Sequence, residues 1–143
     1  MSDIVTRTDI DLVMRVFYER ALADEMIGYI FTDVVRLDLE AHLPIIGDFW
    51  ESLLFGTNPY QKHSRNPLLV HKALDAKEKL RPQHFERWLE LFQHAVDTEF
   101  AGEQAEFLKS RAQAIASRMQ TFLSEPETEV SGLQIGAKIQ SRQ

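Results

Sequence analysis

The chain has 143 residues, 44% of them hydrophobic and 27% charged, a composition that fits one globular domain with a single core and excludes a disordered or fibrous chain. A net charge of −6 with scattered Lys and Arg argues against general affinity for nucleic acid or an anionic membrane, both of which require a basic footprint. Cysteine is absent, which excludes disulfides, thiolate nucleophiles and Cys-based zinc or iron–sulfur sites and suits a cytoplasmic protein.

No apolar run approaches the roughly 20 residues of a membrane span, and MSDIVTRTD lacks an apolar signal core, so neither membrane insertion nor export is expected. Helical periodicity dominates and predicts an all-α fold. A first helix is expected from about Thr8 to Asp24, with Ile10, Val13, Phe17 and Ala21 on one stripe. Gly28 interrupts, and Tyr29, Ile30 and Phe31 form an apolar corner. The next helix carries Leu43, Ile46, Phe49, Trp50, Leu53 and Leu54. Proline is comfortable only in a helix's first turn, so Pro44 places its start near Ala41 or His42.

Residues 56–66 (GTNPYQKHSRN) read as a loop. Asn66 and Pro67, an N-cap and a first helical proline, open a short helix to about Leu74. Pro82 opens a longer helix with Phe85, Trp88, Leu89, Phe92 and Val96 on its buried face, although Arg81 is a poor N-cap. Gly102 separates it from a last helix of about Glu103–Leu123, with Leu108, Ala112, Ile115, Met119 and Phe122 on its stripe. Residues 124–143 form a polar tail expected to be disordered.

The chain has no GxSxG, no phosphate-binding glycine loop, no HExxH and no pair of Glu-x-x-His motifs. The carboxylates mostly read as solvated helix faces, and His63, His84 and His94, among polar neighbours, as exposed. What remains is a set of polar groups among bulky apolar ones: Tyr18 after Phe17, His42 before LPIIGDFW, His71 within NPLLVHKAL, and Trp88 within HFERWLELF. A neutral imidazole on a short helix suits a single axial ligand for haem iron, and phenol O–H and indole N–H are donors that stay uncharged in a dry pocket. By spacing alone, however, an ordinary core or surface histidine is the better reading of His71, Trp88 reads as plain core, and Tyr18 has a core reading with its hydroxyl on a backbone carbonyl.

Taken in order, the segments VFYERAL (16–22), IGYIF (27–31), AHLPIIGDFW (41–50), NPLLVHKAL (66–74) and PQHFERWLELF (82–92) resemble the group III truncated haemoglobins, the shortened globins of bacteria. The resemblance covers about residues 8–123. Groups I and II carry paired glycines, whereas none of the six glycines here is paired, which favours group III.

The resemblance implies a truncated globin domain over residues 1–123, a two-over-two helical sandwich around haem b (iron protoporphyrin IX). It implies His71 as the proximal iron ligand. On the distal side it implies Tyr18, Trp88, His42 and Ile46 against a diatomic ligand, with His42 turned either inward or out as a gate. Phe31 and Phe49 would pack on the haem, and Lys72 and Arg65 are the candidate partners of its propionates. The implied function is reversible binding of O2, NO or CO by a monomer or weak oligomer. The alternatives are a haem enzyme for peroxide or NO, dependent on an external reductase because no flavin or nicotinamide site is visible, and a haem-free helical interaction domain.

Overall fold

The structure, a computed structural model, describes residues 1–57 and 79–124. His71, Lys72 and Arg65 lie outside the described residues, as do most of the 56–66 loop, the short helix opened by Asn66 and Pro67, His63 and the C-terminal tail. The described residues are helical, with no strand among them.

Helix α1 spans Arg7–Leu22 and begins in a capping box. The Asp9 backbone N–H donates to Thr6 Oγ1 at 3.4 Å, and the Asp9 carboxylate accepts from the Thr6 N–H at 3.1 Å. Two of the four donors that every helix N-terminus leaves unpaired by its own ladder are thereby engaged. Ile10, Val13, Met14, Phe17, Tyr18 and Ala21 recur at helical spacing and are buried, giving α1 the central stripe of the core.

Past α1 the Asp24 carboxylate accepts the N–H groups of Met26 and Ile27 at 3.0 and 3.1 Å, turning the chain back. Gly28 passes so close to α1 that a Cβ there would lie 2.6 Å from the Leu22 carbonyl oxygen. A π-helical turn, Ile30–Val34, forms the apolar corner, closed by the Val35 N–H donating to the Ile30 carbonyl at 2.8 Å.

Helix α2 spans Leu39–Phe55, starting earlier than the expected Ala41 or His42. Asp38 is the cap, accepting from the Ala41 N–H at 3.3 Å. Pro44 therefore lies inside the helix. Its fixed φ suits an α-helix, and the cost is the missing N–H toward the Glu40 carbonyl. On the far side the Pro44 carbonyl accepts from Arg7 Nη2 at 3.2 Å. His42 sits one turn inside α2, not at its entrance. Gly56, in the left-handed region at φ 72°, ends the helix.

Helix α3 spans Pro82–Glu99, with proline at its first position. The weak N-cap at Arg81 is relieved locally: the Arg81 backbone N–H donates to His84 Nδ1 at 3.0 Å. His84, expected to be exposed, is half-buried in this role, and its ring lies 6.3 Å from that of Tyr29. Phe92, Ala95 and Val96 are buried, whereas Phe85, Trp88 and Leu89 are only half-buried.

Helix α4 spans Glu103–Ser124. Its cap comes from the other end of the chain: the Asp3 carboxylate accepts from the N–H groups of Gln104 and Ala105, both at 2.9 Å. Gly102 makes room for that carboxylate, which a Cβ would strike.

The pair α1–α2 stacks on the pair α3–α4, with α1 packing on both α2 and α3. Phe17, Trp50 and Phe92 meet at the centre, the Phe92 ring 5.5 Å from Phe17 and 5.2 Å from Trp50. The result is the expected all-α arrangement of two helix pairs, one packed over the other. No helix among the described residues is long and apolar enough to cross a membrane.

Candidate functional site

Two of the polar residues singled out in the sequence, Tyr18 and His42, meet where α1 crosses the first turns of α2. Tyr18 lies on the core stripe of α1 and is 7% exposed. Its hydroxyl is 2.9 Å from His42 Nε2, and the two rings sit edge to face at 5.2 Å. Around the phenol lie Phe17 at 4.8 Å, from the same helix, and Phe31 at 5.9 Å, from the π turn. Burial pushes the Tyr18 phenol well above its ordinary value, so the group is a neutral hydroxyl at every physiological pH.

Trp88 joins the cluster from α3. Its ring is 5.8 Å from Phe17 and stacks on Phe92 at 5.3 Å. The fold thus gathers Tyr18, Phe31, His42 and Trp88, from four separate segments, into one continuous set of ring contacts. On α2, Ile46 and Phe49 follow His42 by four and seven residues and are half-buried against the core. Phe49 also packs on Trp50 at 5.3 Å. His94, expected on the surface, is exposed, with Arg20 Nη1 against its Nδ1.

The interior of the cluster is aromatic and aliphatic, with a hydroxyl, an imidazole and an indole as its polar groups. Charge is kept to its flanks. Arg15 and Glu40 form a two-bond pair across α1 and α2, both bonds 3.1 Å long. Deeper along the same helix pair, Arg7 donates to Asp48 at 2.7 Å, to Glu51 at 2.8 Å and to Asp11 at 2.8 Å. A third tie joins Arg87 on α3 to Asp24, at 2.9 Å from Nε and 2.7 Å from Nη2.

Two of these frame residues are exceptions to the expectation that the carboxylates mostly lie on solvated faces. The Asp48 side chain is 9% exposed and that of Asp24 is 5% exposed. Their partners lie 41 and 63 residues away, so spacing carried no sign of them. The Arg7–Asp11 pair at i,i+4 was the visible part of the Arg7 network.

A neutral cluster of hydrogen-bonding groups with apolar neighbours can orient a small polar ligand by donated hydrogen bonds. Among the described residues there is no group of His, Cys, Asp and Glu that could hold a metal ion by itself.

No family model matches the chain. It is 30% identical over 104 residues to the group 3 truncated hemoglobin ctb of Campylobacter jejuni subsp. jejuni, an overlap of 71% of this chain and 77% of that protein. The fold superposes on the crystal structure of group III truncated hemoglobin from Campylobacter jejuni with a TM-score of 0.74 and 29% identity, covering 87% of this chain and 97% of the other. Sequence and helix arrangement agree: the chain belongs to the group III truncated haemoglobins.

Proposed function

We propose that this protein binds haem b and reversibly holds O2, NO or CO, with His71 as the iron ligand and Tyr18, His42 and Trp88 facing the bound diatomic. The observation that carries this reading is the Tyr18–His42 hydrogen bond, closed inside an aromatic cluster, in a chain of globin descent. The large apolar residues Phe31, Leu43, Ile46, Phe49, Phe85, Trp88 and Leu89 fit the group, because all are only half-buried among the described residues. Such side chains gain by covering a flat apolar macrocycle. Phe31, Ile46 and Phe49 would pack on it, and Lys72 and Arg65 would pair with its carboxylates.

When bound, ferrous haem supplies a coordination position at which a diatomic binds reversibly. The protein's part is to hold a donor at the place where the ligand gathers negative charge. Tyr18 is always protonated, so its usefulness depends on where its proton points. With the His42 proton on Nε2, the imidazole donates to the Tyr18 oxygen and the phenolic O–H is left to donate to the ligand. With the proton on Nδ1, the O–H is spent on His42. His42 thereby sets the direction of the Tyr18 donor, and the Trp88 indole N–H is a second donor that carries no charge.

The purified protein is expected to show a Soret band, and His71→Ala to abolish it or shift it to a different ligation state. An unchanged spectrum in that variant would refute the His71 assignment. The peroxide or NO enzyme uses the same donors with an external reductant. Sustained turnover with peroxide and a chemical reductant would favour that reading over reversible binding.

A further inference from the structure

The first turn of α2 is built differently from the rest of the helix. Pro44 has no N–H to give the Glu40 carbonyl, so the ladder that ties Leu39–Leu43 to the remainder of α2 lacks a rung. From Pro44 onward α2 is fastened to α1 by Arg7, which reaches the Pro44 carbonyl, the nearly buried Asp48 and Glu51. Upstream of Pro44 the polar ties to α1 are the Arg15–Glu40 pair and the Tyr18–His42 bond. Arg15 lies one turn before Tyr18 on α1, and Glu40 two residues before His42 on α2. The two ties are therefore adjacent, one in the site and one at the surface.

We propose that Arg15 and Glu40 are positioning residues for ligand access: their pair holds the His42-bearing turn of α2 against α1, Pro44 is the weak joint about which that turn loosens, and the strength of the pair sets how often the Tyr18–His42 contact opens to admit a ligand. The access half of this inference rests on the haem reading above; the tether half does not.

An exposed ion pair commonly contributes little, because solvent screens it and two long side chains must be ordered. Two features raise its importance here. The guanidinium meets both carboxylate oxygens in parallel, which removes much of the freedom a single contact would leave. And it acts on one interrupted turn, where a small bias changes a local equilibrium without having to stabilise the whole fold. The geometry also predicts salt sensitivity, since both side chains are open to solvent, Arg15 at 45% and Glu40 at 72% exposure.

The test uses the full-length holoprotein with Arg15→Gln, Glu40→Gln, the double variant and Arg15→Lys. Two quantities are read: amide hydrogen exchange at Ala41, His42 and Leu43, and the bimolecular rate of CO recombination after flash photolysis. Both single variants are expected to raise exchange and recombination between about 1.5-fold and fivefold. The double variant should exceed neither single one, because one shared interaction has been removed. Arg15→Lys should recover part of the wild-type value, and about 0.5 M salt should bring wild type to the level of the variants while leaving them unchanged.

Additive effects in the double variant, salt-independent wild type or unchanged exchange at residues 41–43 would overturn the tether. Faster exchange with unchanged recombination would overturn its role in access. A wild-type protein with no haem spectrum would overturn the haem reading, and access with it, while the exchange arm would still decide the tether.

Discussion

At the scale of single residues, the site turns on a few uncharged polar atoms placed among rings. Tyr18 is the one whose removal is easiest to interpret, because phenylalanine keeps the ring and its contacts with Phe17 and Phe31. Tyr18→Phe is expected to speed O2 dissociation by about tenfold, the loss of one hydrogen bond to a partly anionic ligand, with little change in CO dissociation. Stopped-flow displacement measures both, and equal effects on the two ligands would show that the hydroxyl acts by packing instead. Gly28 makes a second residue-scale case. Its missing Cβ is what lets the corner pass the Leu22 carbonyl, so Gly28→Ala should cost about 1–3 kcal/mol in a denaturant titration.

At the scale of elements, helix ends decide as much as helix faces. Pro82 marks its helix in the chain, whereas the expected starts at Thr8 and near Ala41 or His42 miss the caps Thr6 and Asp38, which precede α1 and α2 directly. The α4 cap was not legible, because Asp3 stands about a hundred residues from the N–H groups it serves. Asp3→Ala is expected to lower Tm by several degrees and to raise hydrogen exchange first in the opening turn of α4. Uniform loss of protection throughout the protein would show that the N-terminal segment supports the core generally. Pro44 was misread for a related reason. Its rule of thumb forbids helix interiors, yet α2 accepts it where the Asp38 cap and the Arg7 contact hold both sides.

At the scale of the whole molecule, an aromatic core and ion pairs between the elements hold the four described α-helices together. Phe92 is 1% exposed and touches Phe17, Trp50 and Trp88, so Phe92→Ala should destabilise the fold by about 3–5 kcal/mol, read by thermal or denaturant unfolding. The Arg87 guanidinium and the Met26 and Ile27 N–H groups hold the Asp24 carboxyl below its ordinary value of 3.8. A carboxyl whose folded value is depressed stabilises the protein above the unfolded value and loses that contribution as pH falls through the folded one. Wild-type stability is therefore expected to decline below about pH 4, and Asp24→Asn to be less stable at neutral pH but less sensitive to acid. Parallel pH–stability curves for the two proteins would contradict this assignment.

The sequence by itself determined the helices and the family, because helical periodicity, N-caps and the proline and glycine signals are local, and a helix's apolar stripe is written at fixed spacing along the chain. It also named Tyr18, Phe31, His42 and Trp88 as belonging together, through a resemblance spread over five segments. Tertiary structure decided what those residues do to one another: that the Tyr18 hydroxyl meets His42 Nε2, and that Trp88 reaches the pair through Phe17. It alone revealed the charged frame of Arg7, Arg15, Asp24, Glu40, Asp48 and Arg87, since a carboxylate on a polar-looking face is buried or solvated according to which distant cation the fold brings to it. Local signals act within a turn or two of helix, whereas a buried charge is made tolerable only by a partner across the core.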